Sequence, residues 1–126
     1  MKNFLRYQFP ALVWMGLIFL LSSVPGRYFP EKPFDLFDKF VHASLFGVLN
    51  YLLYRGFKFQ EKSFFVKSFS IAIAFFICVI YAIFDELHQE FVPGRSPDAT
   101  DAMADIIGAG LTSIYLLFYN YKNKKC

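Results

Sequence analysis

Apolar residues gather into four runs, and short polar segments between them carry most of the charge. The first run covers roughly 9–23, with Leu12, Val13, Trp14, Met15 and Leu17 to Leu21 in near succession. The second covers roughly 40–54, the third 68–84 and the fourth 102–121. A bilayer crossing takes about 20 mostly apolar residues, with 17 as a lower bound. The first two runs reach that length only if their polar ends are counted. On that count the pattern predicts helices over 7–24, 38–55, 67–90 and 101–121. The expected architecture is all-α, a bundle of four transmembrane helices in one membrane domain over 1–126.

Composition strengthens the membrane reading. Hydrophobic residues make up 56% of the 126 positions and charged residues only 18%, where about 25% charged is ordinary. Aromatic residues reach 21%, including 18 Phe and 8 Tyr. A soluble domain of this size has too much surface to hide that much apolar material. Disorder, a disulfide scaffold and a nucleic-acid-binding module are all excluded. Cys78 sits in an apolar run and Cys126 ends the chain, with neither metal-ligand nor CxxC spacing. No prenylation signal is present. Lys2 and Arg6 before the first run also fit a signal peptide, but Ser22-Ser23-Val24-Pro25-Gly26 is a poor cleavage site.

The net charge of +3 hides a segregation along the chain. The N-terminal flank, the 55–67 segment and the C-terminal flank hold nine of the 13 basic residues. Lys and Arg favour the cytoplasmic side. Both termini are therefore expected inside, in the bacterial cytoplasmic membrane. Nine of the ten acids fall at the other side, Glu31, Asp35 and Glu90 among them, and only Glu61 falls inside.

Four helices alternating in direction would gather a polar set at the outer face. It comprises Ser22, Ser23, Asp38, Lys39, His42, Asp85, Glu86, His88, Gln89, Asp101 and Asp105. Asp38 and His42 are four apart, as are Asp85 and Gln89, and Asp101 and Asp105, so each pair shares a helix face. Ionisable groups at membrane depth are costly and usually face a bundle interior or a polar cavity. Asp38 and Asp101 also suit the first turn of a helix, where acids complement the macrodipole. Asp85 and Glu86 oppose it at a helix C-terminus and need neutralising by Arg95, Lys39 or protonated His42. Val92-Pro93-Gly94-Arg95-Ser96-Pro97 reads as a turn that could bring Arg95 over the cleft. Ala43-x-x-x-Gly47 and Ala104-x-x-x-Gly108-x-x-x-Thr112 read as close helix-packing seams. Phe75, Phe76 and Phe84 read as packing and lipid contact, and Tyr115, Tyr119 and Tyr121 as an interfacial belt.

These residues resemble the VanZ-like family of small bacterial integral membrane proteins. The resemblance rests on Leu21-Ser22-Ser23, on Asp38-Lys39-Phe40-Val41-His42 with Phe46, on the run Asp85-Glu86-Leu87-His88-Gln89-Glu90-Phe91-Val92-Pro93-Gly94-Arg95, and on Asp101 with Ile107-Gly108. It covers most of the chain. The family pattern usually carries Asn where this chain has Asp105. The extra carboxylate asks for a retained proton or a bound cation. The resemblance implies a four-helix membrane protein of the cell envelope, with a namesake associated with reduced susceptibility to the glycopeptide antibiotic teicoplanin.

Three functions fit this set. The first is an enzyme at the outer leaflet acting on a lipid-linked or envelope molecule. His42, oriented by Asp38 or Asp85, would be the base, Glu86 the acid, and Arg95 the headgroup clamp. The catalytic set is then His42, Asp85 and Glu86, and the binding set Asp38, Lys39, Gln89, Arg95, Asp101 and Asp105. A triad of Ser22 or Ser23 with His42 and an aspartate is a further arrangement of the same site. His42, Asp85 and Glu86 are also suitable metal-ligand types, but no zinc motif is present, and neither metal nor cofactor is expected. The second function is a non-catalytic protein that binds or shields cationic, amphipathic ligands. The third is a small transporter or assembly factor, although no inverted repeat is visible.

Overall fold

The computed structural model describes residues 2–28 and 35–124, all of them helix, turn or short connection. Glu31, Lys32, Lys125 and Cys126 lie outside the described residues, as does the side chain of Asp35. The helices are α1 (Phe9–Ser22), α2 (Asp35–Lys58), α3 (Phe64–Ser68), α4 (Ser70–Gln89) and α5 (Ala99–Lys124).

A π-helical turn, Phe4–Gln8, leads directly into α1. Pro10 sits in the first turn of α1 and has no N–H to return to the carbonyl of Arg6. The helix widens there, and the Phe9 N–H bonds to the Phe4 carbonyl. The continuous stretch Phe4–Ser22 is then long and apolar enough to cross a membrane. Two further stretches qualify among the described residues, Ser70–Gln89 and Ala99–Asn123.

The expected four membrane-spanning helices are therefore corrected to three. The second run does form a helix, α2, of 24 residues. It is not among the stretches long and apolar enough to cross a membrane, and its sequence carries Asp38, Lys39, His42 and Asn50 between apolar residues. With three candidate spans, the placement of both termini on the cytoplasmic side is not supported. Inside the bundle, α2 packs on α5 most extensively, then on α4 and α1. Its polar groups are met by these neighbours. Asn50 is fully buried, and its amide donates to the Ala109 carbonyl and to Ser113 Oγ at 2.8 Å each.

Small residues set how closely the helices approach. Ala74, Cys78 and Ala82 recur every fourth residue on α4 and are fully buried. Along α2 and α5, Gly47 faces Thr112 and Gly108, and Gly108 lies against the backbone of Ala43. A methyl group at Gly108 would overlap the Ala43 carbonyl. Trp14 donates from Nε1 to the Leu45 carbonyl at 3.0 Å, and Tyr81 donates from its hydroxyl to the Met15 carbonyl at 2.8 Å. These two bonds tie α1 to α2 and α4 while satisfying each aromatic's polar atom. Outward-facing positions remain apolar, including Leu20 on α1, Phe76 and Phe84 on α4, and Leu111 and Phe118 on α5. An apolar exterior around a partly polar interior is the arrangement a bilayer stabilises.

The connections at one end are tight. Pro25 ends α1, and the Gly26 N–H bonds to the Pro93 carbonyl at 3.1 Å. Val92-Pro93-Gly94-Arg95 forms a turn closed by Arg95 N–H to the Val92 carbonyl at 3.1 Å. Pro at the second position and Gly94 at φ 74° in the third are the requirements of a type II turn.

Candidate functional site

Four helix ends meet beside this turn. They are the C-termini of α1 and α4 and the N-terminal turns of α2 and α5. Ser22 donates its hydroxyl to the Asp85 carboxylate at 2.6 Å, and Gln89 donates to Asp85 Oδ2 at 3.1 Å. All three side chains are buried. Asp85 at the C-terminus of α4 is therefore met by neutral donors. No lysine or arginine forms a salt bridge with Asp85 or Glu86 among the described residues.

The basic side chains on α2 serve α5 instead. Lys39 pairs with Asp101 and, at 3.1 Å, with Asp98. His42 Nδ1 meets Asp105 Oδ1 at 3.0 Å, and its Nε2 lies 3.9 Å from Asp101 Oδ2. Burial pulls the His42 imidazolium down, but the Asp105 hydrogen bond and the charges of Asp105, Asp101 and Asp38 outweigh it and leave the pKa raised. Lys39 is raised for the same reasons, burial opposing and the bonds to Asp101 and Asp98 prevailing.

Glu86 Oε2 accepts the backbone N–H of Asp98 at 2.7 Å, which ties α4 to the start of α5. Two buried oxygens, Glu86 Oε1 and Asp105 Oδ2, have no hydrogen-bond partner among the described residues. One carboxylate oxygen from each of Asp85, Glu86 and Asp105 lies within 4.8 Å of the others. Asp38, His42 and Asp101 form a second such group.

The other predicted positions are distributed as follows. Arg95 donates to the carbonyls of Val24 at 3.3 Å and Leu21 at 3.4 Å, placing its charge at the C-terminus of α1, where the helix dipole favours a cation. Ser23 lies apart from His42 and bonds His88 Nε2 at 2.9 Å. Its hydroxyl also lies 2.7 Å from the Phe19 carbonyl, so both its polar contacts are to groups other than His42. His88 also stacks on Phe19, with ring centroids 4.5 Å apart.

Asp98 joins the site beyond the residues that the sequence points to. It caps α5, with Oδ1 accepting the N–H and the hydroxyl of Thr100 at 2.8 Å each. The spacing of Asp98 to Asp101 just after Pro97 resembles a capping box and was the available signal. Hydrogen bonds from the backbone and side chain of Thr100, and then from Lys39, hold the Asp98 pKa down at about 2. A depressed folded-state value means this contribution is present above the ordinary 3.8 and is lost as pH falls through about 2. Asp98→Ala should cost about 1 kcal/mol, the usual worth of an N-cap. SDS titration of the protein in mixed micelles at neutral pH measures this, and a wild-type midpoint would exclude the capping role.

A large groove of about 1210 Å³ lies at the opposite end of α4 and α5, lined mainly by apolar side chains such as Phe69, Ile71, Phe75, Leu117 and Phe118. It shares no residue with the polar cluster.

Comparison with curated proteins and with solved structures found no match. The VanZ/LLP1 family model matches residues 7–120, which include every helix that contributes to the site. The apolar spans together with this match make the protein a multi-pass membrane protein, and the chain belongs to the VanZ/LLP1 family.

Proposed function

We propose that the polar cluster binds and acts on a lipid-linked or envelope-associated molecule at the outer face of the membrane. The observation that carries this reading is the meeting of the buried Asp85, Glu86 and Asp105 with the partly buried His42 at one end of an apolar-surfaced bundle. Three carboxylates and an imidazole at such depth are costly, and their retention favours a functional role. A substrate with acyl chains in the bilayer and a polar head at the bundle end would meet these groups directly.

In this reading His42, held through Nδ1 by Asp105, presents Nε2 as the proton-transfer group. Glu86 is the partner acid, while Asp85 is positioned by Ser22 and Gln89. Lys39, Asp38 and Asp101 form the polar rim, and Arg95 fixes the neighbouring turn. The same surface supports a second reading, in which the acids capture a cationic amphipathic ligand without turnover. Its specific support is the second acidic group, Asp38 and Asp101, at the rim.

The test uses bacteria that express the chain, with teicoplanin susceptibility as the readout and binding of labelled teicoplanin to proteoliposomes alongside. Expression should lower susceptibility. Glu86→Gln should abolish this protection at equal protein level, because loss of a general acid costs 10²–10⁴-fold in rate. Binding should persist in that variant. Protection that survives Glu86→Gln excludes the catalytic role of Glu86. Binding that weakens steeply with added salt, together with surviving protection, supports the non-catalytic reading.

A further inference from the structure

Asp85, Glu86 and Asp105 are each held by a donor from the protein. Ser22 and Gln89 bond Asp85, the Asp98 N–H bonds Glu86 Oε2, and His42 Nδ1 bonds Asp105 Oδ1. Each donor orients its carboxylate, and Glu86 and Asp105 are each left with one oxygen that has no hydrogen-bond partner among the described residues. Asp105 is 0% exposed and Glu86 8%. An unpartnered carboxylate oxygen at that depth is unstable unless something positive meets it. Two such oxygens in one three-carboxylate group make the demand specific.

Among the described residues, the neighbouring basic side chains do not meet it. Lys39 is engaged by Asp98 and Asp101, and His42 contributes a single hydrogen bond to the far oxygen of Asp105. We infer that Asp85, Glu86 and Asp105 form a binding site for one divalent, oxygen-seeking cation of the Mg²⁺, Mn²⁺ or Ca²⁺ class.

The geometry fits such an ion. Oxygen ligands lie about 2.0–2.6 Å from these cations, so two ligands on opposite sides of one ion are about 4–5 Å apart. The three carboxylate oxygens lie within 4.8 Å of one another. An all-oxygen set selects hard cations over zinc or copper. The donors that hold these carboxylates, Ser22 and Gln89 on Asp85, the Asp98 N–H on Glu86 and His42 on Asp105, match the second shell such sites use to orient their ligands. The neighbouring group of Asp38, His42 and Asp101 has no such unpartnered oxygen, and Lys39 already supplies its positive charge. The site stands independently of the proposed turnover, since a cation here could hold α4 to α5 with or without chemistry.

The test is Mn²⁺ titration of the purified full chain in nanodiscs, stripped with chelator and followed by electron paramagnetic resonance at pH 7.5. Wild type should bind one Mn²⁺ per chain saturably, with Mg²⁺ or Ca²⁺ competing. Asp105→Asn and Glu86→Gln should each weaken binding at least tenfold. Should either variant fail to fold, the unmodified chain localises the site by hydrogen exchange. Mn²⁺ should then slow exchange in the last turns of α4 and the first two turns of α5. Absence of saturable binding, unchanged affinity in both amide variants, or protection confined to other helices would each overturn the inference. None of these readouts depends on teicoplanin or on catalysis, so the site and the proposed function can fail separately.

Discussion

Gly108→Leu should disrupt the protein more than any other single change on the α2–α5 seam. A Cβ at Gly108 overlaps the backbone carbonyl of Ala43, and a backbone atom cannot rotate away as a side-chain tip can. The two helices must separate along their length. Overpacking usually costs about 1–3 kcal/mol, and a rigid backbone obstacle places this case at about 3 kcal/mol or above. The damage extends to the site, because Ala43 follows His42 and Gly108 lies one turn beyond Asp105. The His42–Asp105 bond should be lost along with the packing. Gly16→Ala is the matched control, since a Cβ there meets nothing within 4 Å. In a helix interior that change should stabilise by roughly 0.5–1 kcal/mol. SDS titration of both variants in mixed micelles separates the cases. Equal midpoints for the two would show that the seam does not hold the bundle.

The seam was readable in advance because small residues four apart have one common use between helices. The helices themselves were readable for a similar reason, since each apolar run became one. What the runs could not give was the number of crossings. α2 has helical length, but Lys39, His42 and Asn50 lower its apolar character, and its neighbours bond all three. A count of runs treats that helix like the others, whereas tertiary packing distinguishes it.

The site was legible to the extent that it lies within single helices. Asp38 with His42, Asp85 with Gln89, and Asp101 with Asp105 follow from i,i+4 spacing. Pairings across helices were not legible. Arg95 reaches the carbonyls at the end of α1, a target with no mark in the sequence. Ser23 finds His88 although both lie at helix ends 65 residues apart. Asp85 and Glu86 required neutralisation on electrostatic grounds, and the expected partners were side-chain cations. The structure supplies a serine hydroxyl, a glutamine amide and a backbone N–H instead. Neutral donors stabilise a carboxylate without adding a second buried charge, which is why a search for basic partners overlooked them.

The pairing of His42 with Asp105 should give the second large effect, and an asymmetric one. His42→Leu removes the hydrogen-bond partner of a fully buried carboxylate that already shares its surroundings with Asp85 and Glu86. Breaking a buried pair in this sense costs about 3–5 kcal/mol, because the remaining charge is uncompensated. Asp105→Leu leaves His42 instead. An imidazole can lose its proton, and the like-charge crowding of the carboxylates is relieved at the same time. The remaining cost is that of an unsatisfied donor, about 1–3 kcal/mol. The double variant removes both groups and should cost less than the sum of the singles by about 0.5–3 kcal/mol, the range for residues in direct contact. All four proteins are compared by SDS titration with chelator present, so that cation binding does not contribute. Additive losses would show that the two side chains act independently, and a larger loss for Asp105→Leu than for His42→Leu would show that carboxylate crowding is not what His42 relieves.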